Sequence, residues 1–373
     1  SPHGLIGSDF NSTLNLAEGL LLRAVSDTKN GYYNYSLKYG LQEMVYENNR
    51  IDSIKQSENG AFCYLTEHYH LAPQLIFKPK NQKSIMLYES NRHQKNYEWG
   101  FSKLISYENS QGKPLLGALF YPAGYNADKK YPMIVHIYER QSDQFNQYVN
   151  PTLHNADGFN VTNYTTQGYF VLLPDIAYTD GKTGSSALDC VSAAVNEVLA
   201  HESIDADRLG LVGHSFGGYE TNFIVTQTNK FAAAISGAGV SDIVSSYLTV
   251  GSANKKPDGW RYEFNQFRIG ASLFDSYETY IQNSPITFAK QISTPLLLWS
   301  GENDTSINYS QSLEMYLALR RLQKPNIFLL YEQGGHSPMK KDDQIDLTNR
   351  MQDWFNFYLK DGIRPTWFKT DKL

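Results

Sequence analysis

The stretch Leu209-Gly210-Leu211-Val212-Gly213-His214-Ser215-Phe216-Gly217-Gly218 decides how this sequence is read. Leu209 to Val212 is an apolar run of the kind that forms a strand buried on both faces. Gly-x-Ser-x-Gly follows at once, and a helix-compatible stretch begins near Tyr219. The two glycines have a physical reason to be there. In so tight a strand–turn–helix junction, side chains at 213 and 217 would collide with neighbouring backbone. Such a turn lifts the Ser215 hydroxyl out of the carboxyl edge of a sheet, where a substrate can reach it. The plainer alternative is a glycine-rich turn that only closes a strand–helix unit. His214, inside the turn, reads as a packing or hydrogen-bonding residue.

Outward from this turn the same grammar recurs. Pro132 to Tyr138, Tyr169 to Pro174, Pro295 to Trp299 and Ile327 to Tyr331 are further near-continuous apolar runs, as expected of a parallel sheet. Between them, Leu188, Val191, Val195, Val198 and Leu199 repeat at helical spacing and predict a helix over about 185–201. Further helices are expected over about 311–322 and 347–359. Strands alternating with helices make an α/β domain.

A serine alone is a weak nucleophile and needs a base, which in turn needs an orienting carboxylate. On the α/β-hydrolase fold these follow in the order serine, acid, histidine. Asp304 lies just past the strand at 295–299, and His336 lies just past the one at 327–331, in Gln333-Gly334-Gly335-His336. The carboxyl ends of parallel strands share one edge of a sheet, so the three residues are expected to converge there. Glu302 is the competing acid, closer to its strand and more in keeping with a solvated turn. His201 ends a helix, where a cation suits the dipole. The backbone N–H of Phe216, directly after Ser215, is positioned as an oxyanion donor.

The first hundred residues read differently. Tyr33, Tyr35, Leu37 and Tyr39 alternate with more polar neighbours, as do Phe62 and Tyr64, Leu75 and Phe77, and Ile85 and Leu87. Polar breaks at 47–50 and 57–60 separate these runs, which points to a β-meander, a sandwich or propeller blades. A hairpin follows, with Leu104 to Tyr107 and Leu115 to Tyr121 as its arms and 110–113 as its turn. The domain reading is 1–100 as a β-rich segment and 101–373 as the hydrolase domain.

Composition narrows the function classes. A chain of 373 residues suggests two domains. Its 41% hydrophobic residues can form a sizeable core, which excludes wholesale disorder. The formal charge of −5 gives no basic excess for nucleic-acid binding. No apolar run is long enough to predict a membrane span. Two cysteines, Cys63 and Cys190, make neither a disulfide framework nor a Cys-rich metal site. His68 and His70 would share one face of a strand but have no evident third ligand, so a solvated face is expected rather than a metal site. Asp205-Ala206-Asp207 departs from a calcium loop, because Leu209 takes a ligand position and the closing glutamate is missing. The sequons at Asn11, Asn34, Asn160 and Asn303 read as chance matches in an Asn-rich chain. The chain starts at Ser1, without Met or a basic-then-apolar leader, which reads as a processed or excised piece.

Lys129 to Tyr138 resembles the prolyl oligopeptidase family of serine peptidases, in its dipeptidyl-peptidase-like branch. The resemblance continues through Gly168 to Val171 with Pro174-Asp175, Asp205 to Gly218, Asn283 to Ile286, Ala318 to Leu322 and Gly335-His336. It covers roughly residues 100–373. It implies that Tyr138, at a strand end, donates its hydroxyl to the oxyanion beside Phe216. It also implies an apolar specificity pocket over Gly239 to Tyr247, with Val240, Ile243 and Tyr247 accepting proline or a small apolar side chain; ordinary core packing is the equal alternative. Residues 1–100 resemble, more weakly, the last blades of that family's β-propeller. A full propeller needs far more chain, so a fragment of a longer protein is expected.

The implied activity is peptide hydrolysis through Ser215, Asp304 and His336 without a cofactor or metal. Activity is expected to fall in acid, since a protonated His336 cannot take the serine proton. The partner is a peptide substrate, and the oligomeric state is left open, a homodimer included. Periplasmic or secreted location is implied by resemblance alone. A carboxylesterase and a non-catalytic binding protein on the same fold are the competing readings. Glu139-Arg140-Gln141 departs from the small residues and proline usual after the family's oxyanion tyrosine. Phe216 stands where Trp or Tyr is common.

Overall fold

The structure, a computed structural model, describes residues 19–251 and 255–368; the Asn11 sequon lies outside them. The alternating runs of the first hundred residues form two antiparallel sheets. One contains β1 (Leu20–Val25), β2 (Asn30–Ser36) and β3 (Gly40–Glu47). The other contains β4 (Arg50–Gln56), β5 (Phe62–His68), β6 (Leu71–Lys78) and β7 (Ile85–Glu89), in that order. Val45, Ile51, Ile54, Phe62 and Tyr64 form their shared core. Residues up to Glu98 make one unit together with Asp143–Tyr148. A boundary at residue 100 does not include this second segment. It joins because Phe145 packs edge-on against His68 and Asn146 Nδ2 donates to the Asn48 carbonyl at 3.3 Å.

The alternation at 33–39 does not make one strand. The chain leaves β2 at Ser36 and turns through 37–39. Ser36 Oγ accepts the Tyr39 N–H at 3.2 Å, and Gly40 takes φ +64°. A left-handed residue at a tight turn suits glycine. Leu37 and Tyr39 sit exposed at the turn, so their spacing mimics a strand without any burial behind it.

The second unit, Trp99–Ser142 with Val149–Leu373, is built on one eight-stranded sheet. Its strands are β8 (Ser102–Glu108), β9 (Pro114–Phe120), β10 (Tyr131–Ile137), β11 (Phe170–Pro174), β12 (Ile204–His214), β13 (Ala233–Gly237), β14 (Leu296–Gly301) and β15 (Asn326–Tyr331). Their spatial order is β15-β14-β13-β12-β10-β11-β9-β8. β8 and β9 form the expected antiparallel hairpin, β9 pairs antiparallel with β11, and every other neighbour pair is parallel. Asp205 and Asp207 lie within β12, so no cation loop forms there.

The helices are α1 (Val161–Thr165), α2 (Thr183–His201), α3 (Phe216–Gln227), α4 (Ile243–Tyr247), α5 (Gly259–Glu263), α6 (Tyr277–Gln282), α7 (Ser310–Arg321) and α8 (Lys341–Leu359). The periodic apolar positions of α2 are the ones it buries, with Cys190, Val191, Ala194, Val195 and Val198 in the core. α8 begins six residues before the apolar stripe that predicts it. Its first turn carries Asp342 and Asp343, which suit the positive end of the helix dipole without contributing to that stripe. Asn160 is buried and caps α1, accepting from the Thr162 and Asn163 N–H groups. Among the described residues no helix is long and apolar enough to cross a membrane.

Candidate active site

Four parallel strands deliver the candidate residues to one edge of the sheet. β10 and β12 run side by side with Ile137 opposite Gly213, so Tyr138 and Ser215 emerge from neighbouring strand ends. Ser215 takes φ 59° and ψ −117° at the head of α3. A non-glycine residue held there costs about 1–3 kcal/mol, which the surrounding structure must offset. The Ser215 N–H donates to the Gly237 carbonyl at 2.8 Å. A Cβ at Gly213 would lie 2.2 Å from the Gly217 carbonyl oxygen, and one at Gly217 would lie 2.2 Å from that of Ile137. Both clashes are with backbone, so neither glycine can be replaced without moving the turn.

His336 Nδ1 lies 2.8 Å from Asp304 Oδ2, and its Nε2 lies 2.8 Å from Ser215 Oγ. A carboxylate only accepts, so Nδ1 carries the proton and Nε2 is left to accept from the serine hydroxyl. The Asp304 side chain is fully buried. Its other oxygen accepts the N–H groups of Ser306 and Ile307 at 2.7 and 2.9 Å. Glu302, the competing acid, is exposed. The two loops are tied by backbone, with Asn303 N–H donating to the Gly334 carbonyl at 2.9 Å.

His214 stacks on Trp299 with parallel rings 5.1 Å apart and donates from Nε2 to the His336 carbonyl at 2.7 Å. Burial holds its pKa below the ordinary histidine value, with the Asp157 carboxylate opposing in part. It therefore serves as a neutral donor that fixes the backbone of the His336 loop.

The Phe216 N–H is the first of α3, where no acceptor exists within the helix. Tyr138 packs edge-on against the Phe216 ring at 6.4 Å, and its hydroxyl oxygen accepts from Gln266 Nε2 at 3.2 Å. The unusual Glu139-Arg140-Gln141 segment is held by Asp175. One Asp175 oxygen accepts the Gln141 and Ser142 N–H groups, each at 2.8 Å, and the other accepts the Ser142 hydroxyl at 2.6 Å. The Gln141 side chain pairs with His136 at both its ends.

Val240 and Ile243 are fully buried, in a cluster with Phe216, Tyr219, Tyr262 and Phe267, against which Tyr138, Tyr178 and Tyr247 pack half-buried. The Tyr247 hydroxyl donates to Glu263 at 2.5 Å. Sequence reasoning missed Tyr178, Glu220, Gln266 and Arg268 altogether. Glu220, in α3, is wholly buried and accepts from the Tyr178 hydroxyl. Burial pushes its pKa up to about 8. Its place in the helix-compatible stretch just after Ser215 was the one signal available in the sequence.

His68 and His70 stand with ring centroids 4.5 Å apart, but β5 ends at His68 and His70 lies in the following turn. Burial lowers the His68 pKa to about 4. Among the described residues no group of three His, Cys, Asp or Glu side chains is placed to hold a metal.

Comparison with known proteins agrees with this architecture. The chain is 26% identical over 265 residues to an uncharacterized peptidase, YuxL, of Bacillus subtilis, covering 68% of this chain and 39% of that protein. It is 23% identical over 269 residues to dipeptidyl-peptidase 5 of Porphyromonas gingivalis, covering 68% of this chain and 37% of that one. The fold resembles that of Pyrococcus horikoshii acylaminoacyl peptidase with a TM-score of 0.70 at 19% identity, covering 93% of this chain and 57% of the solved one. The chain thus spans about two fifths of these curated relatives and somewhat over half of that solved structure. The sequence profile of the prolyl oligopeptidase family matches residues 165–362, more than half of the chain, and on that match this chain belongs to the prolyl oligopeptidase family.

Proposed function

We propose that the chain is a serine peptidase in which Ser215 is the nucleophile, His336 the general base and Asp304 the orienting acid. The observation that carries this reading is the unbroken hydrogen-bond line from Ser215 Oγ through His336 to the buried Asp304, at 2.8 Å on each side. His336 Nε2 takes the serine proton as Oγ attacks a peptide carbonyl. Asp304 holds the tautomer and stabilises the imidazolium. The Phe216 N–H and the Tyr138 hydroxyl meet the oxyanion. As the tetrahedral intermediate collapses, the carbon–nitrogen bond breaks and His336 returns the proton to the leaving amine. Water, deprotonated by the same histidine, then cleaves the acyl-enzyme and regenerates Ser215.

Residues 101–373 carry this chemistry in our reading, and 1–100 form part of a β-propeller. The aromatic cluster around Phe216 supports a preference for proline or a small apolar residue before the cleaved bond. Val240 and Ile243 back the pocket wall from inside the core. Tyr247, half-buried, offers ring surface at its face. The names of the relatives, dipeptidyl-peptidase and acylaminoacyl peptidase, support short peptides as substrates.

The test is reaction of the intact chain with a fluorophosphonate probe, read by mass, with Ser215→Ala as control. Single labelling that vanishes in the variant is expected. A folded chain that takes no label would overturn the assignment. Comparison of a proline-containing peptide amide with a simple acyl ester then separates peptidase from esterase, the amide being the expected substrate.

A further inference from the structure

The segment after Tyr138 carries Glu139 and Arg140, and the structure shows where the Glu139 charge goes. Glu139 Oε1 accepts from Arg268 Nη2 at 2.6 Å. The other terminal nitrogen of Arg268 donates to the carbonyl oxygen of Gln266. The Gln266 side chain then reaches the Tyr138 hydroxyl oxygen at 3.2 Å. Since Tyr138 and Glu139 are joined by a peptide bond, these contacts close a ring of four residues. The ring is clamped from outside. The Arg268 guanidinium lies 4.3 Å above the Tyr178 ring, and the Tyr178 hydroxyl donates to the buried Glu220. The Arg268 carbonyl accepts the Gly181 N–H at 2.7 Å. Arg268 itself adopts φ +51°, a conformation uncommon for a residue other than glycine.

We propose that Gln266, held in place by the Glu139–Arg268 ion pair, is a positioning residue for the Tyr138 hydroxyl. This rests on the reading of Tyr138 as an oxyanion donor. A phenol hydroxyl has one proton, which prefers the ring plane on either side of the C–O bond. When its oxygen accepts from Gln266, the proton must point elsewhere, which fixes the rotor. The accepted bond also polarises the hydroxyl and makes it a stronger donor. Tyr138 contributes only as far as its proton is aimed before the oxyanion forms, because a donor that must reorient loses much of its effect. The ion pair is part-buried, and it is local in a useful sense. Glu139 follows the tyrosine it serves, so the brace pulls the 266–268 loop onto the corner itself.

The experiment measures fluorophosphonate labelling of Ser215 by the full chain as a saturating rate, which reads the oxyanion corner without a known substrate. Loss of an oxyanion donor costs about 10²–10³-fold, so Tyr138→Phe is expected to lower the maximal rate by up to that amount. Gln266→Met, of similar length but without an amide, is expected to lower the maximal rate about tenfold, leaving the half-saturating concentration within twofold. Glu139→Gln is expected to cause a smaller loss of the same kind. In the Tyr138→Phe background, Gln266→Met is expected to cost nothing further. Thermal unfolding midpoints serve as the folding control. Full, additive loss from Gln266→Met in that background would overturn the brace. So would a normal rate in Gln266→Met while Tyr138→Phe is impaired. A normal rate in Tyr138→Phe itself would overturn the brace together with the oxyanion role of Tyr138, and that pattern is distinct from the other two.

Discussion

The two sides of Ser215 are held by different means. On one side, Asp304 and His336 stand on loops that leave neighbouring parallel strands and are stitched together through the main chain. Asn303 donates to Gly334, Glu302 donates to Tyr331, and Asp304 itself caps the Ser306 and Ile307 amides. On the other side, the Tyr138 hydroxyl meets Gln266, and the 266–268 loop is held in turn by the side chains of Glu139, Tyr178 and Glu220. Main-chain register tolerates changes in most side chains, whereas a ring of side chains fails when any member is lost. The Asp304–His336 side is therefore the durable half of the site, and under the proposed mechanism the Tyr138 side is the half in which variants can tune rate without dismantling the fold.

Breaking the durable side should have the largest effect. Asp304→Asn keeps an oxygen for the Ser306 and Ile307 amides but turns an NH₂ toward His336, which favours the wrong imidazole tautomer. A loss of about 10⁴-fold in labelling or turnover rate is expected with folding intact. A variant within tenfold of the parent would remove Asp304 from the mechanism.

Between the two sides lies the turn itself. Gly217→Ala would push a methyl group against the Ile137 carbonyl, which belongs to the strand that carries Tyr138. A destabilisation of about 3–4 kcal/mol is expected in urea unfolding, from a backbone clash that no rotamer relieves. Unchanged stability would mean that the turn is looser than its geometry.

The smallest expected effect sharpens the oxyanion side. Glu220 has its pKa raised by burial to about 8 in the folded protein, against an ordinary value of 4.5. Below about pH 4.5 both states hold the proton, so the burial cost of a charge does not arise. Between there and pH 8 the unfolded chain releases the proton and the folded chain retains it, so stability falls as pH rises. Glu220→Gln has no such slope. Its advantage over the parent is expected to grow from pH 5 to pH 8, with a slope of at most about 1.4 kcal/mol per pH unit. Parallel pH profiles for the two proteins would show that Glu220 does not titrate in this way.

How much of this could be read beforehand follows the same division. The convergence of Ser215, Asp304 and His336 was legible because each lies just past an apolar run, and strand ends in a parallel sheet share an edge. The alternation did not make a strand at Leu37 and Tyr39, which lie exposed in the turn after β2. Helix α8 began earlier than its apolar stripe, since acidic residues extend a helix without marking its face. Val240 and Ile243 could be named as apolar, but only the packing put them wholly inside the core.

The sequence by itself determined the α/β sheet, the turn at Ser215 and the order of the residues that meet there. Each of these depends on local spacing, glycine sterics and runs of apolar side chains. Tertiary structure alone decided that Arg268 returns to Glu139, that Gln266 reaches Tyr138 and that Glu220 lies beneath Tyr178. Those partners are separated by 42 to 129 positions. A charged or amide side chain carries no periodicity that names its partner, so only the folded chain supplies the distance.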